Sequence, residues 1–170
     1  MDSQQNNRNV NSAALSAPSI HASCVLVGAG AVLIRGASGA GKSRLAHDLI
    51  EAGSRGDVAF ARLVADDRTL VEAVNGRLLA RPAPALTGLL ELRHIGIRPM
   101  PFEPLAVVSL VVDIALDAER LPEPDGRFTE IAGIRLSRLT VPSGHNVFPI
   151  VLAELAALRD GRHPNLLAEK

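Results

Sequence analysis

One cysteine, Cys24, stands in a chain of 170 residues. A single thiol can neither close an internal disulfide nor build a zinc site, so a stapled secreted scaffold is excluded and a reducing, cytoplasmic setting is expected. Its place in an apolar run suits a small buried side chain. Net charge is also missing: Lys+Arg and Asp+Glu both number 18. Without a global positive field, neither nucleic acid nor a membrane surface is expected as a partner, and any polyanion has to be held locally. Lysine itself is scarce, with Lys42 and Lys170 alone in the chain. No apolar run reaches the roughly 18 residues of a spanning helix. The opening "MDSQQNNRNVNS" lacks the positive and apolar regions of a secretory signal.

At this length, and with 47% hydrophobic residues, the chain suits one domain with a substantial core. Residues 1–18 are polar and aperiodic and read as a disordered lead; residues 19–160 form the domain; residues 161–170, with His163, read as a tail. "HASCVLVGAG" and "AVLIRG" are β-prone runs joined by Gly28-Ala29-Gly30, a hairpin signal. The same glycines begin a dinucleotide fingerprint, but Leu33 stands where its third glycine belongs. "SRLAHDLIEAG" spaces Leu45, Leu49 and Ile50 along one helical face and is expected to stop at Gly53. Asn75-Gly76 marks another hairpin, "GLLELRHIGIRPM" and "LAVVSLVVDIAL" read as strands, and "RPMPFEPL" and "ERLPEPDGRF" read as loops. "TEIAGIRLSRLTVP" suggests paired strands, and "NVFPIVLAELAALRDG" an amphipathic helix that tolerates Pro149 in its first turn. The sum is a sheet-dominated α/β domain.

The most specific segment is Gly36-Ala37-Ser38-Gly39-Ala40-Gly41-Lys42-Ser43. It satisfies G-x-x-x-x-G-K-[ST], and it lies between a strand and a helix, as that motif requires. Glycines let backbone N–H groups converge on phosphate oxygens, and the following helix directs its positive end at them. Lys42 is suited to neutralise the β/γ phosphates and Ser43 to ligate Mg²⁺. A GTPase is disfavoured because no N-K-x-D guanine reader is present. Asp66-Asp67 ends the apolar run "ARLVA", placing two carboxylates at a strand end, one suited to hold the metal and the other to accept a proton. Asp113, after a buried strand, is a rival metal acid.

"HASCVLVGAGAVLIRGASGAGKS", "RLVADDRTLV", "GLLELRHIGI" and "FEPLAVVSLVVDI" follow the order and approximate spacing of the catalytic domain of bacterial HPr kinase/phosphorylase, and the resemblance covers residues 19–158. Its most specific part is "LLELRHIGIRPM", Leu89–Met100, which resembles that family's signature segment. The resemblance implies a phosphoenolpyruvate-carboxykinase-like P-loop fold, a mixed sheet with flanking helices, and ATP- and Mg²⁺-dependent phosphorylation of a serine of an HPr-like phosphocarrier protein. It further implies that Asp66 accepts the serine proton, that His21 lies beside that aspartate, and that Asp67 and Glu91 serve the metal. Arg93 belongs to the same signature, and Arg120 resembles an arginine that stabilises the transferring phosphoryl group. His47 and His163 have no counterpart and read as surface residues.

Longer family members carry a domain before this one, and the short polar lead resembles the compact alphaproteobacterial form. Hexamers are the family habit. In "TVPSGHN", Thr140–Asn146, His145 stands where the family's dephosphorylation loop carries an arginine, so the resemblance implies a better kinase than phosphorylase. A P-loop small-molecule kinase and a nucleotide-sensing regulatory module are the alternatives that the motifs leave open.

Overall fold

The computed structural model describes residues 18–120 and 123–160. The expected tail, and the lead up to residue 17, lie outside the described residues. A short strand β1 (Ser19–Ile20) precedes β2 (Ala22–Val27) and β3 (Gly30–Gly36), which pair antiparallel with Val27 opposite Gly30. Gly28-Ala29 is left as a two-residue turn, with Gly28 at φ 62 as such a turn demands. The glycine loop then leads into helix α1 (Lys42–Arg55). This helix runs two residues past Gly53, and the left-handed residue that ends it is Gly56, at φ 81. Gly53 serves packing instead: a Cβ there would lie 2.8 Å from the backbone nitrogen of Ala61.

Strand β4 (Ala61–Ala65) is followed by the hairpin β5 (Thr69–Val74) and β6 (Arg77–Pro82), which turns at Asn75-Gly76 with both residues at positive φ. The signature segment, read from the sequence as a strand, folds back on itself as a separate hairpin, β7 (Leu89–Leu92) and β8 (Gly96–Pro99). The long strand β9 (Ala106–Ala115), the hairpin β10 (Phe128–Ile131) and β11 (Ile134–Pro142), and helix α2 (Phe148–Arg159) follow. Pro149 sits in the first turn of α2, where its missing N–H costs nothing.

Among the described residues, nine strands form one mixed, curled sheet. Its path is β1-β5-β6-β9-β3-β2-β4, with β11 also pairing β9 and β10 pairing β11. Strand β9 runs parallel to both β3 and β11. Period-2 alternation divides the apolar residues between two layers. Val25, Val32, Ile34, Leu110, Val112 and Ile114 face α1 and α2. Cys24, Leu33, Val64, Val71, Val108, Val111 and Leu136 form the second layer, enclosed by the curl of the sheet. Each fully buried leucine among these contributes about 2 kcal/mol. Burial pushes the Cys24 thiol up to about 12, so it stays protonated and inert. Helix α2 departs from the amphipathic expectation. Only Val151 is fully buried, Leu152, Leu155 and Leu158 are partly covered, and Ile150 keeps 45% of its surface.

Candidate active site

The glycine loop leaves β3 and enters α1 at Gly41, whose φ of 107 closes the turn into the helix. The first turn of α1 carries no acidic side chain, so its positive end faces the loop uncompensated. Lys42 is 6% exposed, and its Nζ donates to the carbonyls of Gly36 at 3.0 Å and Ala37 at 3.1 Å. Burial lowers its pKa from the ordinary lysine value, with the charges of Asp67 and Asp66 pulling the other way. An ammonium held inside a loop of converging amides is the arrangement that holds a polyphosphate. The loop opens into a cavity of about 940 Å³, lined by Ser38–Ser43, by Asp66 and Asp67 just past β4, and by parts of β7 and the turn before α2.

A bulge aims the first aspartate. Between β2 and β4, Cys24 pairs with Ala65 and Val25 with Leu63, so Val64 is an extra residue. Leu63 therefore packs toward the helices, while Val64 and Ala65 both pack in the second layer. Asp66 is thereby returned to the side of the P-loop. Its buried carboxylate accepts the Ser43 hydroxyl at 3.0 and 3.1 Å, the Ser23 hydroxyl at 2.6 Å and the backbone N–H of Glu91 at 3.1 Å.

The chain then reverses. Arg68 N–H donates to the Asp66 carbonyl at 2.6 Å, and Asp67 takes φ 61, a left-handed conformation that aspartate tolerates at a cost of about 1 kcal/mol. Its carboxylate is thrown outward, 69% exposed, where Oδ1 lies 3.1 Å from His21 Nε2. His21 sits at the break between β1 and β2, fixed there by the pairing of Ile20 with Thr69 and by the Thr69 hydroxyl donating to the Ala22 carbonyl at 2.8 Å. This reverses the expected arrangement: the imidazole partners Asp67, and the Mg²⁺-suited serine partners Asp66.

Glu91, Arg93 and His145 all line the cavity. Arg93 reaches the loop, since a side chain at Gly39 would meet its Nη2 at 3.6 Å. His145 donates from Nδ1 to the Ser143 carbonyl at 3.1 Å. His47, expected on the surface, is half-buried and lines the cavity from the second turn of α1. Arg120 is exposed beyond the end of β9 and is not among the lining residues. Asp113 is no rival metal acid. It points to the other side of the sheet, where Arg35 donates to both its oxygens at 2.7 and 2.8 Å and Arg138 donates at 2.6 Å. Burial pulls its pKa upward, but the bonds and charges of these two arginines outweigh it and hold the carboxyl below the ordinary range. Ser23 escaped sequence reading; its one signal is a hydroxyl in phase with Val25 inside an otherwise apolar strand.

The residues present fit a magnesium nucleotide. Ser43 and Asp66 offer adjoining oxygens of the hard type Mg²⁺ prefers, and Glu91 adds a carboxylate at the same wall. Among the described residues no group of three or more His, Cys, Asp or Glu side chains is placed to hold a metal ion, here or elsewhere, so a cation at this site would share its coordination with the Ser43 hydroxyl and the nucleotide phosphates. No helix among them is long and apolar enough to cross a membrane.

A strand, a glycine loop that buries its lysine, and a helix whose first serine meets a strand-end carboxylate define a P-loop protein of mixed α/β architecture. Residues 13–100 match the family described as HPr Serine kinase C-terminal domain, and the chain belongs to that family. The HPr kinase/phosphorylase of Clostridium beijerinckii is 33% identical over 150 residues, which cover 79% of this chain and 46% of that protein. The enzyme of the same name from Geobacillus thermodenitrificans is 37% identical over 141 residues, 75% of this chain and 43% of that protein. The chain thus spans about half the length of the curated relatives it matches. A solved structure described as the Hpr(Ser) kinase/phosphatase from Coxiella burnetii superimposes with a TM-score of 0.70 at 23% identity, over 85% of this chain and 97% of that one. That likeness establishes the fold.

Proposed function

We propose that the protein is an ATP- and Mg²⁺-dependent kinase that phosphorylates a serine of an HPr-like phosphocarrier protein in the cytoplasm. On this reading the mixed sheet is of the phosphoenolpyruvate-carboxykinase-like P-loop type. The observation that carries it is the division of labour between adjacent aspartates beside one cavity: Asp66 is saturated with hydrogen bonds, and Asp67 is free to face a substrate.

Lys42 and the amides of residues 36–43 would hold the ATP phosphates, and Ser43, Asp66 and Glu91 the Mg²⁺, which when bound supplies neutralising charge to the phosphoryl oxygens. Between the donors on each of its oxygens and the cation it would share with Ser43, Asp66 is committed away from the attacking serine. Asp67 accepts the proton of the attacking serine as the new P–O bond forms and the bond to ADP breaks, and His21 orients it. This assignment exchanges the roles that the family resemblance gave the two aspartates. Arg93, which reaches the loop, takes the charge-stabilising role expected of Arg120. Phosphorylation of a purified HPr-like protein from radiolabelled ATP tests the reading. The two alternatives separate from it in the same assay: a small-molecule kinase leaves the carrier unlabelled while consuming ATP with metabolites, and a sensing module consumes none.

A further inference from the structure

Ser23 has no part in the chemistry described above, yet its environment is that of a functional group. The side chain is fully buried in β2, and its hydroxyl donates to Asp66 Oδ1 at 2.6 Å, closer than either contact from Ser43. Its chain neighbours Ala22 and Cys24 pack in the opposite layer, so Ser23 alone of the three is aimed at the P-loop side. Alanine would suffice there if apolar filling were the requirement.

The donors around Asp66 form a pattern. Ser43 reaches both carboxylate oxygens. Each oxygen has one other donor, Ser23 on Oδ1 and the Glu91 N–H on Oδ2. A serine that binds a cation has to turn its lone pairs toward the metal, and its two contacts to Asp66 cannot both survive that rotation. The two remaining donors, one per oxygen, still fix the plane of the carboxylate.

We propose that Ser23 is a positioning residue for divalent-cation binding: with the Glu91 N–H it holds Asp66 in place while Ser43 is redirected to the metal. The inference rests on assigning Ser43 and Asp66 to Mg²⁺. Without Ser23 the carboxylate is held at Oδ2 alone and can swing about its terminal torsion, so the cation loses a preset ligand while the phosphate cradle is untouched.

The experiment compares ATP affinity of the full chain by calorimetry, in EDTA and in Mg²⁺, for wild type, Ser23→Ala and Ser23→Cys. The cysteine keeps a γ atom at the position and offers only a weak donor, so it stands in if the alanine variant fails to fold. Wild type is expected to bind ATP more tightly with Mg²⁺. In both variants that enhancement falls about tenfold, the usual effect of removing a partner that orients a metal ligand, while affinity in EDTA stays within about twofold. Equal enhancement in wild type and variants overturns the inference alone, as does an equal loss with and without Mg²⁺, which marks a packing role. A wild type whose ATP affinity ignores Mg²⁺ overturns the assignment of Ser43 and Asp66, and this inference with it.

Discussion

Asp66 and Asp67 are consecutive residues with opposite environments. The first is 4% exposed and bonded to Ser43; the second has a side chain 69% exposed and lies 3.1 Å from His21. One bulge and one left-handed residue produce the divergence. Asp67→Asn is therefore expected to bind MgATP normally and to lose phosphotransfer by about 10²-fold or more, the scale of general-base catalysis. Asp66→Asn is expected to lose Mg²⁺-dependent nucleotide binding itself. Calorimetry paired with phosphotransfer rates checks both, and an active Asp67→Asn enzyme would return the proton acceptor to Asp66.

Lys42 is held at a cost to the free protein. Burial lowers its pKa from the ordinary 10.5, against the pull of Asp67 and Asp66. The folded state thus disfavours the charged form. The penalty is full below the folded pKa and fades as pH rises from there through 10.5. Lys42→Met should abolish ATP binding yet raise Tm near neutral pH. The gap should narrow in alkaline melts. The Gly36 and Ala37 carbonyls released by the substitution border the open loop and can turn to water. A lower Tm for the variant would contradict this.

Asp113 belongs to the scaffold. Its removal leaves Arg35 and Arg138 without their shared carboxylate, so Asp113→Asn should lose about 3 kcal/mol of stability by denaturant titration, with MgATP affinity unchanged. The folded pKa lies below the ordinary 3.8. The stabilisation is then complete above 3.8 and disappears as pH falls through the lower folded value, so wild type and variant should converge in acid.

His145 shares the cavity with the P-loop, and its ring lies against the Ser143 carbonyl. Phosphorolysis brings free phosphate against an anionic phosphoserine, where a permanent guanidinium is worth more than an imidazole. His145→Arg should raise phosphate-dependent dephosphorylation about tenfold and leave the forward rate within about twofold. No gain in the reverse direction would show that Arg93 or another cation already suffices.

The P-loop was legible because its pattern carries its own context, a strand before and a helix after, and the turns at Gly28-Ala29 and Asn75-Gly76 were legible because glycine and asparagine favour the positive φ those turns use. The partners of the aspartates were not. Strict alternation puts Leu63, Ala65 and Asp67 on one face, and only the pairing of β4 with β2 shows that Val64 is bulged out of phase. Gly53 looked like a cap because sequence cannot distinguish a glycine needed for positive φ from one needed for the close approach of Ala61. Asp113 resembled a metal acid until its two arginines, far away in sequence, were placed beside it. In each case the deciding contact is made with another element, and local pattern carries no record of it.

The proposed reaction is phosphoryl transfer from ATP to a protein serine with Asp67 as proton acceptor. Wild type and Asp67→Asn, each incubated with γ-labelled ATP, Mg²⁺ and a purified HPr-like protein, test it in one measurement. Wild type should leave phosphoserine on the carrier, and the variant should label it at least about 10²-fold more slowly. An unlabelled carrier in the presence of wild-type protein that binds MgATP would contradict it.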